Sequence, residues 1–285
     1  MLKAARWRVL PRRRHAHPAA EARAGRFDGD RPRRRGRGVR WGRVALVALA
    51  CAATFALAFW ISLPSAAPLR RGHPPSTALI DDRVAEARAA RKAPRRIQQW
   101  VPLERISPWL QDAVVNSEDA RFYLHHGVDE VELNLALQRA MDEGHLGRGA
   151  STLTQQLAKN LWLGEDRSLL RKAKEYVLAE RLEKLGKDRI LELYLNVVEW
   201  GNGIYGAEAA ARTWFGKPAA ALSPEESAVL AAMLPAPRKR NPRKPSYRLR
   251  VRAFQVLSLY GMYKQLSPAA LADARGRLQG LIGPR

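Results

Sequence analysis

The sequence predicts an all-α body behind a single membrane-spanning helix. Three observations carry this prediction. Residues 44–63 form an uncharged apolar run of 20 residues. From about Trp100 onward, apolar residues recur at helical spacing, with helix-start signals ahead of several runs. Alternating strand patterns are scarce, and there is no internal repeat. A chain of 285 residues accommodates one domain of about 200 residues together with an appendage.

As a helix, the apolar run rises about 30 Å, the thickness of a bilayer's hydrocarbon core. Trp41 and Trp60 sit near its ends, where amphipathic aromatics favour the interface. Two other readings compete. A buried core helix fits poorly beside so basic a tail. A cleaved signal peptide would use Ser65, Ala66 and Ala67, but the apolar run exceeds the usual length, the basic region before it is long, and Pro68 would follow the cut. Residues 1–43 hold 15 Lys or Arg against three acids and show no apolar period, which predicts a disordered basic tail. Seven arginines between 31 and 43 precede the span, whereas only Arg70 and Arg71 follow it closely. This bias predicts a cytoplasmic tail and an exported body. The formal net charge of +23 points to a polyanionic neighbour, either an anionic lipid surface or nucleic acid. Cys51 is the only cysteine, so no intramolecular disulfide can form. With no C-x-x-C and no H-E-x-x-H, a structural zinc site finds no support.

Residues 64–94 carry five prolines and read as a linker leading into a body that starts near residue 95. Ser107-Pro108 is a helix start, with Leu110, Ala113, Val114 and Ser117 on one face. Ser223-Pro224-Glu225-Glu226 reads as a capping box ahead of a run ending at Pro235. Ser267-Pro268 opens another helix, and Ile190, Leu193, Tyr194 and Val197 share a helical face.

Three constellations could carry chemistry. In residues 116–129, Glu118 and Asp119 are adjacent carboxylates at the expected end of the Ser107 helix. Unpaired carbonyls there disfavour an anion and raise proton affinity, which suits a general base. A solvated Glu-Asp pair is the plain alternative; His125 and His126 could equally be turn residues or satisfied core histidines. In residues 148–163, Gly149 precedes Ser151 and Thr152 at a helix start, followed by Gln155, Gln156 and Lys159. Backbone N–H groups with hydroxyls, amides and a lysine suit a phosphate or a sugar, although an ordinary capped helix fits too. In residues 166–196, Arg171 and Glu175 stand at i and i+4, with Lys174 adjacent and Arg167 upstream. Such a set could bind a diphosphate or merely lace a surface helix.

Taken together, these segments resemble the family 51 glycosyltransferases of bacterial cell-wall synthesis, and most of all its monofunctional members. The first family motif is matched by Glu118-Asp119, Phe122, His125 and Gly127; the second by residues 149–160; the third by Arg171-Lys172 and Lys174-Glu175. The fourth is matched by Glu192, Tyr194-Leu195-Asn196 and Gly201, and the fifth by Glu226 and residues 234–237. Where many members have two glycines before the Ser-Thr pair, this chain has Gly149-Ala150. The resemblance covers about residues 95–260 and leaves 261–285 as a C-terminal helical extension. No room for a transpeptidase domain is expected after Arg240.

The resemblance implies a lysozyme-like, all-α fold with two lobes. It implies lipid II (undecaprenyl-diphosphate-linked GlcNAc–MurNAc-peptide) and the growing glycan strand as substrates, at the outer face of the cytoplasmic (inner) membrane. Glu118 and Glu175 are then the catalytic acids. Asp119, Phe122, His125, Gly149, Ser151, Thr152, Gln155, Gln156, Lys159, Arg167, Arg171, Lys174 and Asn196 are the expected substrate-binding residues. The motifs make no cofactor certain. For Glu175 three roles stay open: assisting the diphosphate, holding a divalent cation (Mg²⁺ or Mn²⁺), or organising the cations around it. Membrane lipids are expected partners, as are other proteins of cell-wall synthesis or division; no specific nucleic acid is. Trp162 and Leu163 are candidates for an apolar face toward the membrane or for core. Two rivals stand beside this reading: a muramidase or lytic transglycosylase on a similar fold, and a membrane-bound nucleic-acid binder driven by the tail.

Overall fold

A computed structural model describes residues 40–143, 151–164 and 168–283. Residues 1–39, most of the expected tail, lie outside the described residues, as do Gly149 and Arg167. The helices are α1 (Trp41–Ser62), α2 (Ala78–Ala89), α3 (Pro108–Glu118), α4 (Glu130–Glu143), α5 (Leu153–Ala158), α6 (Leu169–Glu183), α7 (Lys187–Val197), α8 (Ala207–Phe215), α9 (Pro224–Met233), α10 (Tyr247–Tyr263) and α11 (Pro268–Ile282). A π turn, Lys159–Leu163, extends α5. Three short strands, β1 (Ile97–Gln98), β2 (Glu199–Gly201) and β3 (Ile204–Tyr205), form one sheet in the order β1-β3-β2. β1 runs parallel to β3, pairing Ile97 with Ile204; β2 runs antiparallel to it.

The chain divides into two compact units within α1, at Ala53 and Thr54. α1 is the one described helix long and apolar enough to cross a membrane, and it buries none of its residues. In the second unit, helices are started by side chains that satisfy otherwise orphan N–H groups. Thr152 and Ser223 form capping boxes with Gln155 and Glu226, and Ser168, Ser246 and Ser267 cap α6, α10 and α11. Ser107 departs from its expected role. It occupies the cap position of α3, but its buried hydroxyl donates to Leu222 O at 2.9 Å instead of receiving a bond from α3. That bond fixes the start of α3 to the segment before α9.

The packing follows the apolar pattern. α9 is buried almost throughout and packs against α3, α10 and α11. α5 packs against α6 and α7, and α2 lies on the π turn. One core cluster joins the two helix sets. Residues 64–94 are not the linker expected from their prolines. Leu63, Ala66 and Leu69 are buried in the core cluster, and Leu79 and Ile80 of α2 pack on Tyr205. Pro68 sits at the start of a short helical turn, Ala67–Arg70, whose Leu69 is buried.

Asn196, expected to bind substrate, is a structural residue. It is wholly buried at the end of α7. Its Nδ2 donates to Val101 O at 2.9 Å and to Glu192 O at 2.8 Å, and its Oδ1 accepts from Val101 N at 3.0 Å. It thereby clamps the extended stretch after β1 to α7. Gly206 passes over it with φ +84°; a Cβ there would stand 2.8 Å from Asn196 O, so only glycine fits. Asn196→Ala would orphan both backbone groups of Val101 and should lower unfolding stability by about 1–3 kcal/mol. Chemical denaturation of the solubilised chain measures it; an unchanged midpoint with weakened substrate affinity would return Asn196 to the binding surface.

Candidate active site

Glu118 is the last residue of α3 and lines a pocket of about 190 Å³ with Asp119, Arg121, Asp129, Ser151 and Thr152. Burial pushes its carboxyl up from the ordinary carboxylate value. A hydrogen bond from Gln156 and the charges of Arg252 and Arg240 oppose that rise without cancelling it, and Asp119 adds to it. The geometry supplies the cause: Gln156 Nε2 lies 3.4 Å from Glu118 Oε2, and Tyr194 donates its hydroxyl to Gln156 Oε1 at 3.0 Å. Burial and the neighbouring charges of Glu118 and Asp119 keep the Tyr194 hydroxyl protonated, well above the ordinary phenol value. Tyr194, Gln156 and Glu118 therefore form a directed chain that aims the carboxyl. Arg252 donates to Ser117 O at 2.9 Å, next to Glu118 in sequence. Arg240 and Arg252 lie more than a hundred residues from Glu118 along the chain, so no local pattern could reveal them.

Several of the expected substrate-binding residues are engaged in the frame of this pocket, and two of them, Asp119 and Thr152, also line it. Asp119 is buried; His125 Nε2 lies 3.0 and 3.1 Å from its two oxygens, and Leu153 N donates to Oδ2 at 2.8 Å. The carboxylate thus sits at the first turn of α5, where backbone N–H groups favour an anion. Phe122 is wholly buried in the core, with Lys187 Nζ 4.6 Å above its ring. Thr152 donates to Gly127 O at 2.6 Å while accepting from Gln155 N. Gln155 is buried and accepts from Thr152 N at 3.1 Å, which closes the capping box. These four side chains spend their polar groups or their surface inside the protein. Gly127 takes φ +84° hard against α6, where a Cβ would come within 3.3 Å of Ala179 C.

The second glutamate stands on α6. Glu175 is buried, and its two oxygens are taken by different cations: Oε2 by Arg171 Nη1 at 2.5 Å, Oε1 by Lys172 Nζ. Lys174, expected in this cluster, forms no ion pair among the described residues. The reason is helical geometry. Positions i+3 and i+4 face one another, whereas adjacent residues diverge by about 100°. Lys172 also donates to Ser151 Oγ at 3.2 Å. Ser151 lines the Glu118 pocket, so one lysine links the two acids' surroundings. Lys159 opens the π turn half-buried, and Trp162 and Leu163 pack against the core. With both Glu175 oxygens held by cations, its surroundings do not fit a divalent ion, and no three His, Cys, Asp or Glu side chains converge among the described residues.

Comparison with known proteins identifies the family. Residues 85–260 match the family model described as Transglycosylase, which begins inside α2 and so takes in part of the stretch expected as linker. The chain is 49% identical over 166 residues to a biosynthetic peptidoglycan transglycosylase of Thiobacillus denitrificans, covering 58% of this chain and 72% of that protein. It is 49% identical over 184 residues to one of Rhodospirillum centenum, covering 64% and 77%. It is 43% identical over 202 residues to one of Nitrobacter hamburgensis, covering 67% and 86%. A glycan-cleaving function is not favoured by these relatives. The chain belongs to the transglycosylase family and is a peptidoglycan glycosyltransferase, an enzyme of glycan-strand polymerisation.

Proposed function

We propose that this enzyme elongates glycan strands from lipid II by inverting transfer, with Glu118 as the general base. The observation that carries the proposal is a carboxyl whose proton affinity is raised by burial, aimed by Gln156 and Tyr194, and open to a polar pocket. The 4-hydroxyl of the acceptor GlcNAc loses its proton to Glu118 as its oxygen attacks the anomeric carbon of the donor MurNAc. The bond from that carbon to the diphosphate oxygen breaks, undecaprenyl diphosphate leaves with the electron pair, and a β-1,4 link forms. A base with raised proton affinity holds the proton better at the transition state. Charge grows on the departing diphosphate, and cations placed nearby stabilise it. Lys159, Arg167, Arg171 and Lys174 are the proposed set, with Gly149 and Ser151 beside the sugar-diphosphate. Glu175 organises Arg171 and Lys172 and so sets the geometry of that cationic edge. Lys174 carries charge that no described acid neutralises, which suits it to a diphosphate.

The proposed topology places the tail in the cytoplasm and the body outside the cytoplasmic membrane, following the arginine bias around α1. Lipid II lies in the same bilayer, so tethering confines enzyme and substrate to two dimensions. A reporter fused after Arg285 should be active only when exported; activity confined to the cytoplasm overturns the orientation.

Incubating the purified full chain with lipid II and resolving the glycan products by electrophoresis tests the reaction. Glu118→Gln keeps the shape but cannot take the proton, and should lose about 10²–10⁴ of the rate; retention of a tenth of it refutes the role. The wild-type rate should rise with pH through a limb lying above the ordinary carboxylate range, since Glu118 must be ionised to act. Gln156→Ala removes a bond that lowers this proton affinity, and Arg252→Gln removes a charge that does the same. Both should move the limb to higher pH, and a limb that stays in place excludes Glu118 as its source. Lys174→Ala and Arg171→Ala should each weaken binding of a diphosphate-bearing product analogue by roughly tenfold, as expected for loss of a charge-assisted contact. Unchanged binding in both would leave Lys159 and Arg167 to hold the diphosphate.

A further inference from the structure

At the C-terminal end of α1, one arginine from the catalytic body gathers the chain. Arg181 of α6 donates Nη2 to Trp60 O at 2.7 Å, and Nη1 to Leu63 O at 2.6 Å and to Pro64 O at 3.1 Å. Its guanidinium also lies 4.6 Å from the centre of the Trp60 ring. Trp60 O is an orphan carbonyl of the last turn of α1, and Leu63 O and Pro64 O follow just beyond the helix end; one cation satisfies all three. Beside this junction is a pocket of about 350 Å³, whose polar wall is Arg70, Arg181 and Lys184, and whose apolar wall is Trp60, Ala66 and Leu185. No acidic residue lines it. Neither Arg70 nor Lys184 has an acidic partner among the described residues. Of the nearby acids on α6, Glu183 is already held by Lys187 Nζ at 2.9 Å and by the Thr154 hydroxyl, and Glu180 lines a different cavity with Tyr176 and Val177.

We propose that this pocket binds the headgroup of an anionic phospholipid in the membrane that α1 spans. The inference rests on α1 being a membrane anchor. Its end at Trp60–Ser62 then stands at the membrane–water interface, where Trp rings sit and lipid phosphates lie. Three cations around one cavity suit a phosphodiester, and the Trp60, Ala66 and Leu185 wall suits the glycerol and the first methylenes. A membrane anchor alone would need neither the cavity nor its uncompensated charge. The consequence reaches the chemistry through α6. Glu175 lies six residues before Arg181 on the same helix, about 9 Å along its axis. A lipid seated at one end would fix the height of the cationic edge at the other.

The test is native mass spectrometry of the full chain released from mixed micelles, counting retained lipid. Phosphatidylglycerol, phosphatidylcholine and a polyprenyl phosphate are offered in separate arms, with inorganic phosphate as competitor. The wild type should retain one phosphatidylglycerol in preference to phosphatidylcholine, undisturbed by millimolar inorganic phosphate. Arg70→Gln combined with Lys184→Gln should weaken retention about thirtyfold, roughly fivefold per cation. The exchange Arg70→Lys with Lys184→Arg should restore it. Equal retention by the wild type and the double variant overturns the proposal, as does displacement by inorganic phosphate, or a preference for the polyprenyl phosphate. Flotation with phosphatidylcholine vesicles separates the two readings. If the double variant floats but retains phosphatidylglycerol as the wild type does, the pocket is refuted and the anchor stands; if the wild type fails to float, the anchor itself is wrong.

Discussion

The buried carboxylate of Asp119 is the contact on which the catalytic pocket depends. It receives the first N–H of α5 and the ring of His125, while the backbone N–H of the same residue donates to Val115 O and closes the end of α3 that carries Glu118. Two donors, one from the turn just after α3 and one from the start of α5, converge on its two oxygens. A buried charge is tolerated only where donors surround it, and here they do. Remove it, and α5 loses its anchor to α3; Gln156, one turn further along α5, loses its place beside Glu118. Thr152 adds a second tie by holding Gly127 O, so the turn after Phe122 is fixed from both sides.

The two glutamates differ because the fold treats their charges differently. Glu118 is partly withdrawn from water and has only an amide in hydrogen-bond reach, with Arg240 and Arg252 acting at longer range. Glu175 is more deeply buried and answered on both oxygens by cations from its own helix. Glu118 is thereby placed to serve as the proposed base, and Glu175 holds two cations of its own helix in place.

Helices, their starts and the membrane span were legible because they depend on local chemistry: the absence of charge over residues 44–63, the capping box at Ser223, the i, i+4 pairing of Arg171 with Glu175. The proline-rich stretch misled, since prolines report backbone shape and say nothing of whether Leu63, Ala66 and Leu69 find a core. The motif residues identify a family, but not which of them face substrate. Phe122 and Gln155 stand behind the pocket, Thr152 lines it while capping α5, and Asn196 clamps the stretch after β1 to α7, and only burial and partners tell these roles apart. Lys172 was within reach of the sequence, as the i+3 spacing to Glu175 favours it over the adjacent Lys174. Arg240 and Arg252 were not, because their approach to Glu118 is purely tertiary.

The π turn at Lys159–Leu163 carries one residue more than an α-helical path would need. Side chains after it are rotated by about one residue's worth of helical phase, roughly 100°, relative to those before it. The segment therefore reads as two stripes: Gln156 looks inward to the catalytic pocket, while Trp162 and Leu163 are turned onto the core beside α2. Substitution can change the chemistry on either stripe but cannot realign them. Realignment takes a deletion, and the loss of one codon in this stretch would change the phase of everything downstream within the turn at a stroke. Length, more than composition, is the quantity this short segment has to preserve.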